Sequence, residues 1–385
     1  MIEEIGIGAA LALIANRRCR GAMADANHSD RARLVRFWRS AKGFWGGTSA
    51  MIAWPLTIGL VAIAVSQLFV QYRLNYWNRD FFNALARRDG DTLWGQVTVF
   101  VPLAILSVAL SVVSVWARMT TQRKWRQWLT TNILGDWLAN ENYRRLEAAS
   151  GEYKNAEYRI SYDAKSATDS PVDLTLGLVN AVMTACVFTG VLWSVGGALT
   201  FAVGGIVVTV PGYLVIGAVI YAVLFTGLML IIGRNLPAVI QQQSQSEAEF
   251  LSAANEIRES GSHAASDGDG ERQRAVWDAL SQVLLRWRQL LWQLMGTTFV
   301  SQTDLLFAPV FGWFLCVPKY LAGTLTLGEL TQASAAFVTV QVAFNWLVDN
   351  YQRLSDWRSA ANRVAVLLFG LDQVKQSGPA KPTVS

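Results

Sequence analysis

Asp304 is the one charged residue in FVSQTDLLFAPVFGWFL, and Leu305, Leu306 and Phe307 follow it directly. A charge inside an apolar span costs about 2.5 to 3.5 kcal/mol on insertion scales, so an acid retained there is by default a functional candidate. The chemistry open to it is proton exchange. A pairing with Gln302, or with a basic group of a second copy, is the structural alternative. Glu247 and Glu249, in SEAEF, lie in a polar helical stretch where carboxylates can take protons or attract a cation; for Glu249 a solvated helix face is the plainer reading. Asp349, in NWLVDNYQRL, has Arg353 four residues on, the spacing of a helix-surface ion pair. Asp169 and Asp173 flank Pro171, and Asp169 suits a helix cap. Asp80 and Asp89 alternate with Arg79, Arg87 and Arg88, which describes a solvated rim.

Other chemistries find little support. Cys19, Cys186 and Cys316 lack paired or CxxC spacing, and His28 and His263 stand far apart, so no disulfide framework, metal site or other cofactor is expected. The acids Asp267, Asp269 and Glu271 lack the residue order of a calcium loop. No nucleophile triad and no GxxxxGK[ST] phosphate loop occurs, so the chain is not expected to be an enzyme or to hydrolyse ATP by itself. The aromatics Phe307, Phe311, Trp313 and Phe314 read as packing rather than as a binding cage.

The elements that must hold these residues are membrane helices. Hydrophobic residues make up 52% of the 385 and charged residues only 16%, against roughly 25% charged in soluble domains, and the mean hydropathy is +0.27. Six stretches approach the roughly 20 apolar residues that a bilayer core requires. They lie near Ala50 to Tyr72, Gly95 to Ala117, Leu176 to Val195, Pro211 to Ile232, Thr297 to Val317 and Thr331 to Val348. The run Leu199 to Val210 is shorter, and with Pro211 after it is expected to extend or cap a neighbouring helix. Trp45, Trp77, Trp94, Trp116 and Trp193, at or near span ends, suit interfacial belts. Of 33 Lys and Arg, 28 fall before the first span, after the last, or in the two long loops, which assigns both termini and those loops to the cytoplasm. That asymmetry also accounts for the net charge of +5, so nucleic acid is not an expected partner.

Both long loops carry helical patterns. Trp125, Trp128, Leu129, Ile133, Leu134, Trp137, Leu138, Tyr143 and Leu146 keep one apolar stripe. A helix from Gly95 to Glu147 would reach about 80 Å, well past any bilayer. IQQQSQSEAEFLSAANEIRE and AVWDALSQVLLRWRQLLWQL form a second such arm. The expected fold is therefore all-α, an integral membrane domain of six helices with long cytoplasmic helical extensions that turn near Ser150 to Asp169 and in RESGSHAASDGDGERQR. Residues 1–40 are read as a cytoplasmic N-terminal segment, 41–371 as the membrane domain and 372–385 as a tail. The apolar run Ile5 to Ala15 is short and its arginines follow it, so no cleaved signal is expected, and Met23 is an alternative start.

Particular wording goes further than architecture. NYWNRDFFNALARRD, NAEYRISYDAKSATDSPVDL, SEAEF and TLTLGELTQASAAFVTVQVAFNWLVDNYQRLSDWRSAANRV resemble the membrane domain shared by bacterial relatives of ABC subfamily D half-transporters and SbmA/BacA-like peptide transporters, from about Arg36 to Leu371. The resemblance implies an inner-membrane homodimer enclosing a large, alternately opened cavity, with peptides or similar bulky amphipathic compounds as substrate. It also implies an acid at the position of Asp304. In ATP-driven relatives the chain continues into a nucleotide-binding domain, whereas this one ends in GLDQVKQSGPAKPTVS. Their second elbow resembles NAESIALYRGE and seats acidic and bulky side chains in the ATPase; here Ser262, Ala264, Ser266 and Asp267 stand at those positions, among Gly261, Gly268 and Gly270. The expectation is a proton-coupled carrier without its own ATPase. The alternative is a permease subunit served by a separately encoded ATP-binding subunit.

Overall fold

The computed structural model describes residues 35–47, 49–149, 156–203, 206–260 and 269–376. Helix α1 covers 35–46, followed by α2 (Ala50–Arg87), α3 (Gly90–Leu138), a 3-10 turn and α4 (Asn142–Ala149). A short α5 (Ala156–Tyr158) runs through a π-helical turn, Arg159–Asp163, into α6 (Ala164–Gly196). After a hairpin come α7 (Tyr213–Gly233), α8 (Leu236–Ser260), α9 (Asp269–Leu321), α10 (Leu327–Asp349) and α11 (Tyr351–Gln376).

Helix dominates, as composition and periodicity require, and the hairpin is the departure from expectation. Leu199 to Val210 neither extends nor caps a helix. It forms β1 (Ala198–Val203) and β2 (Ile206–Pro211), antiparallel, with Leu199 opposite Val210 and Thr200 opposite Thr209. The physical reason is local: β-branched and aromatic residues fit a pleated strand, and in the sequence Gly204 and Gly205 separate a run holding Thr200, Phe201 and Val203 from the wholly β-branched run Ile206 to Val210. Lys319 Nζ donates to the carbonyl of Gly196, at the hairpin's foot, at 2.6 Å.

Among the described residues five helices are long and apolar enough to cross a membrane: Ala50–Arg87, Gly90–Leu146, Ala156–Gly196, Tyr213–Arg258 and Gly270–Leu321. The sixth expected span, α10, has the length at 23 residues but not the hydropathy. Its composition follows from its surroundings. Gln332, Ser334 and Gln341 are buried against protein. Hydrogen bonds replace lipid contact for two of them, since Ser334 Oγ donates to the carbonyl of Pro309 at 2.9 Å and Gln341 Nε2 to that of Ala218 at 2.9 Å, while the Gln332 amide has no hydrogen-bond partner among the described residues.

A reciprocal cap starts α10. Glu329 Oε2 accepts the Thr326 N–H at 2.8 Å, and Thr326 Oγ1 accepts the Glu329 N–H at 3.2 Å. Two residues on, the helix meets α2 so closely that only glycine fits. The Gly328 N–H donates to Asn83 Oδ1 at 2.9 Å, and a Cβ on Gly328 would lie 2.0 Å from the Arg79 carbonyl oxygen. Gly328→Ala is therefore expected to cost about 3 kcal/mol, at the upper end for overpacking, because a backbone atom cannot rotate aside. A thermal unfolding midpoint equal to that of the parent protein would contradict this.

The chain divides into two compact units. In the first, α3 buries Ala117, Thr121, Trp125, Leu129 and Ile133 at four-residue spacing, and Phe37, Phe44, Leu146, Val364, Leu367 and Leu371 complete the core. The apolar half of α3 is the opposite case, since none of its most hydrophobic window is buried within the chain. The first elbow is shorter than expected. Helix resumes at Ala156 because Ala156, Ile160, Ala164 and Ala167 already bury one stripe in that core. The π turn brings Asp163, fully buried, onto Arg363, which donates from Nε at 2.9 Å and from its terminal nitrogen at 2.8 Å. In the second unit, Phe188, Leu192, Leu214, Tyr221, Phe337 and Val340 form the core. Asn75, also buried there, donates to the Gln332 carbonyl at 3.2 Å. The elbow positions Ser262, Ala264, Ser266 and Asp267 lie outside the described residues, as do 1–34 with Met23.

Candidate functional site

Asp304 sits on α9 at a point where α7 and α10 supply neutral polar partners. Asn345 Nδ2 donates to Asp304 Oδ2 at 2.8 Å, Thr226 Oγ1 donates to Asn345 Oδ1 at 3.3 Å, and the Tyr221 hydroxyl donates to the Asp304 backbone carbonyl at 3.4 Å. The other carboxyl oxygen, Oδ1, is buried and has no hydrogen-bond partner among the described residues. An unmatched buried acceptor is costly, and a carboxyl oxygen can also carry a proton, which makes this atom the candidate for proton exchange. Among the described residues of this chain no basic side chain and no Gln302 contact answers the Asp304 carboxyl.

Asp349 joins the same site. With Thr226, Val300, Ser301, Asp304, Asn345 and neighbours it lines a cavity of about 30 Å³, room for one or two water molecules. The geometry follows from α10, where Asn345 and Asp349 are one helical turn apart and share a face. The expected partner of Asp349, Arg353, turns elsewhere: it donates to Asp173 at 2.9 Å and contacts Asn350. An aromatic wall steadies the α7 side. Tyr221 packs on Phe225, Phe311 and Phe337 with ring centroids 4.5, 5.1 and 5.4 Å away. Phe311 packs on Tyr221 and Phe337 yet keeps an exposed side, and Phe307, Trp313 and Phe314 are exposed on α9 as well.

The remaining candidates do not converge there. Glu247 and Glu249 are exposed on α8. Glu247 accepts from Gln243 and, at 3.2 Å, from Trp287 Nε1, while Glu249 accepts from Gln245 at 3.0 Å. Trp287 precedes Asp304 on the same helix by roughly 25 Å of rise, so these glutamates belong to a separate, solvated stretch. Asp173 belongs to the first unit, where Gln122 Nε2 donates to it at 2.7 Å and Arg118 and Arg353 approach at 3.6 and 2.9 Å. With an amide and two guanidinium groups on it, Asp173 has the geometry of a latch joining α3, α6 and α11. Asp89 caps α3, accepting from the Thr92 N–H at 3.1 Å and hydroxyl at 2.6 Å; these bonds hold its carboxyl below the ordinary aspartate range.

Sequence reasoning missed Asn345, Thr226, Ser301 and Tyr221. Asn345 was signalled by its place four residues before Asp349 in an apolar run, the spacing that stacks side chains on one face. Thr226 and Tyr221 carry no such signal.

The sequence profile described as ABC transporter transmembrane region 2 matches residues 47–321. Over 358 residues the chain is 26% identical to the inner membrane ABC transporter ATP-binding protein YddA of Escherichia coli (strain K12), covering 90% of this chain and 62% of that protein. An uncharacterized ABC transporter ATP-binding protein of Synechocystis is 26% identical over 313 residues, 79% of this chain and 45% of its own length. ABC transporter D family member 2, chloroplastic, of Arabidopsis thaliana is 21% identical over 337 residues, 86% of this chain and 44% of its own. The chain thus spans about half the length of the curated relatives it matches.

Proposed function

The chain belongs to the ABC transporter transmembrane region 2 family, and from that premise we propose that it works as an SbmA/BacA-like carrier, taking peptides or similarly bulky amphipathic compounds across the inner membrane with proton movement through Asp304 and Asp349. The observation that supports this is the small cavity between α7, α9 and α10. Two carboxyl groups line it, no cationic side chain among the described residues does, one carboxyl oxygen is unpartnered among them, and a water molecule fits. That is the equipment for taking up and releasing a proton within a membrane segment. The similarity to YddA, an inner membrane protein, supports the inner membrane, and the distribution of Lys and Arg supports cytoplasmic termini. The working unit in this reading is a homodimer around a shared substrate cavity.

A second reading is drive by ATP through an ATP-binding partner, and the names of the relatives favour it, since each is an ABC transporter and two are titled ATP-binding proteins. The two separate cleanly in liposomes. With the purified chain alone, an imposed pH gradient and no nucleotide, a labelled peptide is expected to accumulate, and collapsing the gradient with an uncoupler is expected to stop it. Accumulation that ignores the gradient and needs an ATP-binding partner with ATP would establish the second reading.

A further inference from the structure

In the first unit, a groove of about 290 Å³ lies between the beginning of α2 and the later half of α3. Phe44, Ile52 and Trp128 form its apolar side, and Lys124, Gln127 and Asn132 its polar side. We propose that this groove binds the phosphate headgroup of an anionic membrane lipid.

Its level along the helices is the first argument. Ile52 stands in the first turn of α2, where that helix's apolar stretch begins, and Lys124 stands about 10 Å along α3 beyond Ala117, where that helix's apolar stretch ends. Both ends of the groove therefore meet at the boundary between hydrocarbon and headgroups, a layer of several ångströms on each side of the core. Charge is the second argument. Lys124 is half-buried in the lining, no carboxylate lines the groove, and none pairs with Lys124 among the described residues. Gln127 and Asn132 add amide donors of the kind that hold phosphate oxygens. Beside the groove, Met51 and Trp54 are exposed on α2, an apolar surface for acyl chains.

The walls are fixed in advance. A Cβ on Gly43 would lie 2.8 Å from the Trp128 ring, so α1 rests directly on that indole. Phe44 stacks on Trp125 at 6.4 Å and meets Trp128 edge-on at 6.2 Å. A site that needs little ordering on binding keeps more of its interaction energy as affinity.

The test measures lipid retention by native mass spectrometry, and unfolding temperature, for the full chain in phosphatidylcholine nanodiscs with and without phosphatidylglycerol. The wild-type chain is expected to retain phosphatidylglycerol in preference to phosphatidylcholine and to unfold at a higher temperature with it. Lys124→Gln is expected to lower that affinity about fivefold, and Lys165→Gln, an exposed lysine outside the groove, is expected to leave it unchanged. Gln127→Leu, on the exposed side of α3, provides a second reading of the groove should Lys124→Gln unfold in phosphatidylcholine alone. Equal retention of both lipids by the wild type, undiminished preference in the groove variants, or the same stabilisation by inorganic phosphate without phosphatidylglycerol would each overturn the proposal.

Discussion

Asp304→Asn is expected to abolish gradient-driven uptake, by roughly a hundredfold, the lower bound for removing a positioned proton-transfer group, while leaving the protein folded. The geometry explains both halves of that expectation. An asparagine side chain has the same shape, and its carbonyl oxygen can still accept from Asn345 Nδ2, the bond that now measures 2.8 Å. What it cannot do is bind a proton and let it go. Initial rates in liposomes under a fixed pH gradient, with circular dichroism as the check on folding, measure the effect. Asp349→Asn should give a smaller loss, because Asp349 lines the same cavity at the end of α10 whereas Asp304 carries the unpartnered buried oxygen. Uptake retained at the parent rate in Asp304→Asn would dismiss this acid as the proton carrier and move the weight to ATP drive.

A stability effect as large as that of Gly328→Ala is expected at Arg363. Its guanidinium makes a two-point contact with Asp163, whose side chain is 0% exposed while that of Arg363 is 47% exposed. Arg363→Ala strands a buried carboxylate, a change that costs about 3 to 5 kcal/mol when both partners are enclosed. Solvent screening on the arginine side argues for the lower figure, about 3 kcal/mol. Unfolding in detergent should therefore begin several degrees lower. Removing both charges, in Asp163→Asn with Arg363→Gln, should cost less than Arg363→Ala, since no unpaired charge remains in the interior. If the double variant proves the less stable of the two, the ion pair is a net contributor and the desolvation argument fails.

What could be read in advance was whatever repeats at helical spacing. The stripe through Trp125, Leu129 and Ile133 was legible because each of these residues is apolar and each is buried one turn after the last. The hairpin is not legible from length, which suits Leu199 to Val210 to extending or capping a neighbouring helix, whereas its β-branched content and paired glycines suit strands. Span α10 was found by its length although its hydropathy is low, since Gln332 and Gln341 face protein rather than lipid. Of the site, Asp304 announced itself by its charge and Asp349 by its position. Thr226 and Tyr221 reach the site only through the packing of α7 on α9 and α10, which no local pattern encodes. The same holds for Asp173: its partners Arg118 and Arg353 come from α3 and α11, far from it in sequence.

The 30 Å³ chamber between Asp304 and Asp349 limits its own traffic. A single amino-acid residue would overfill it, so in a proton-coupled carrier cargo and driving ion follow separate routes and never compete for one berth. Under that proposal the exchange between them is mechanical: protonation would alter how α9 and α10 grip each other, and the cargo would register only the change in shape.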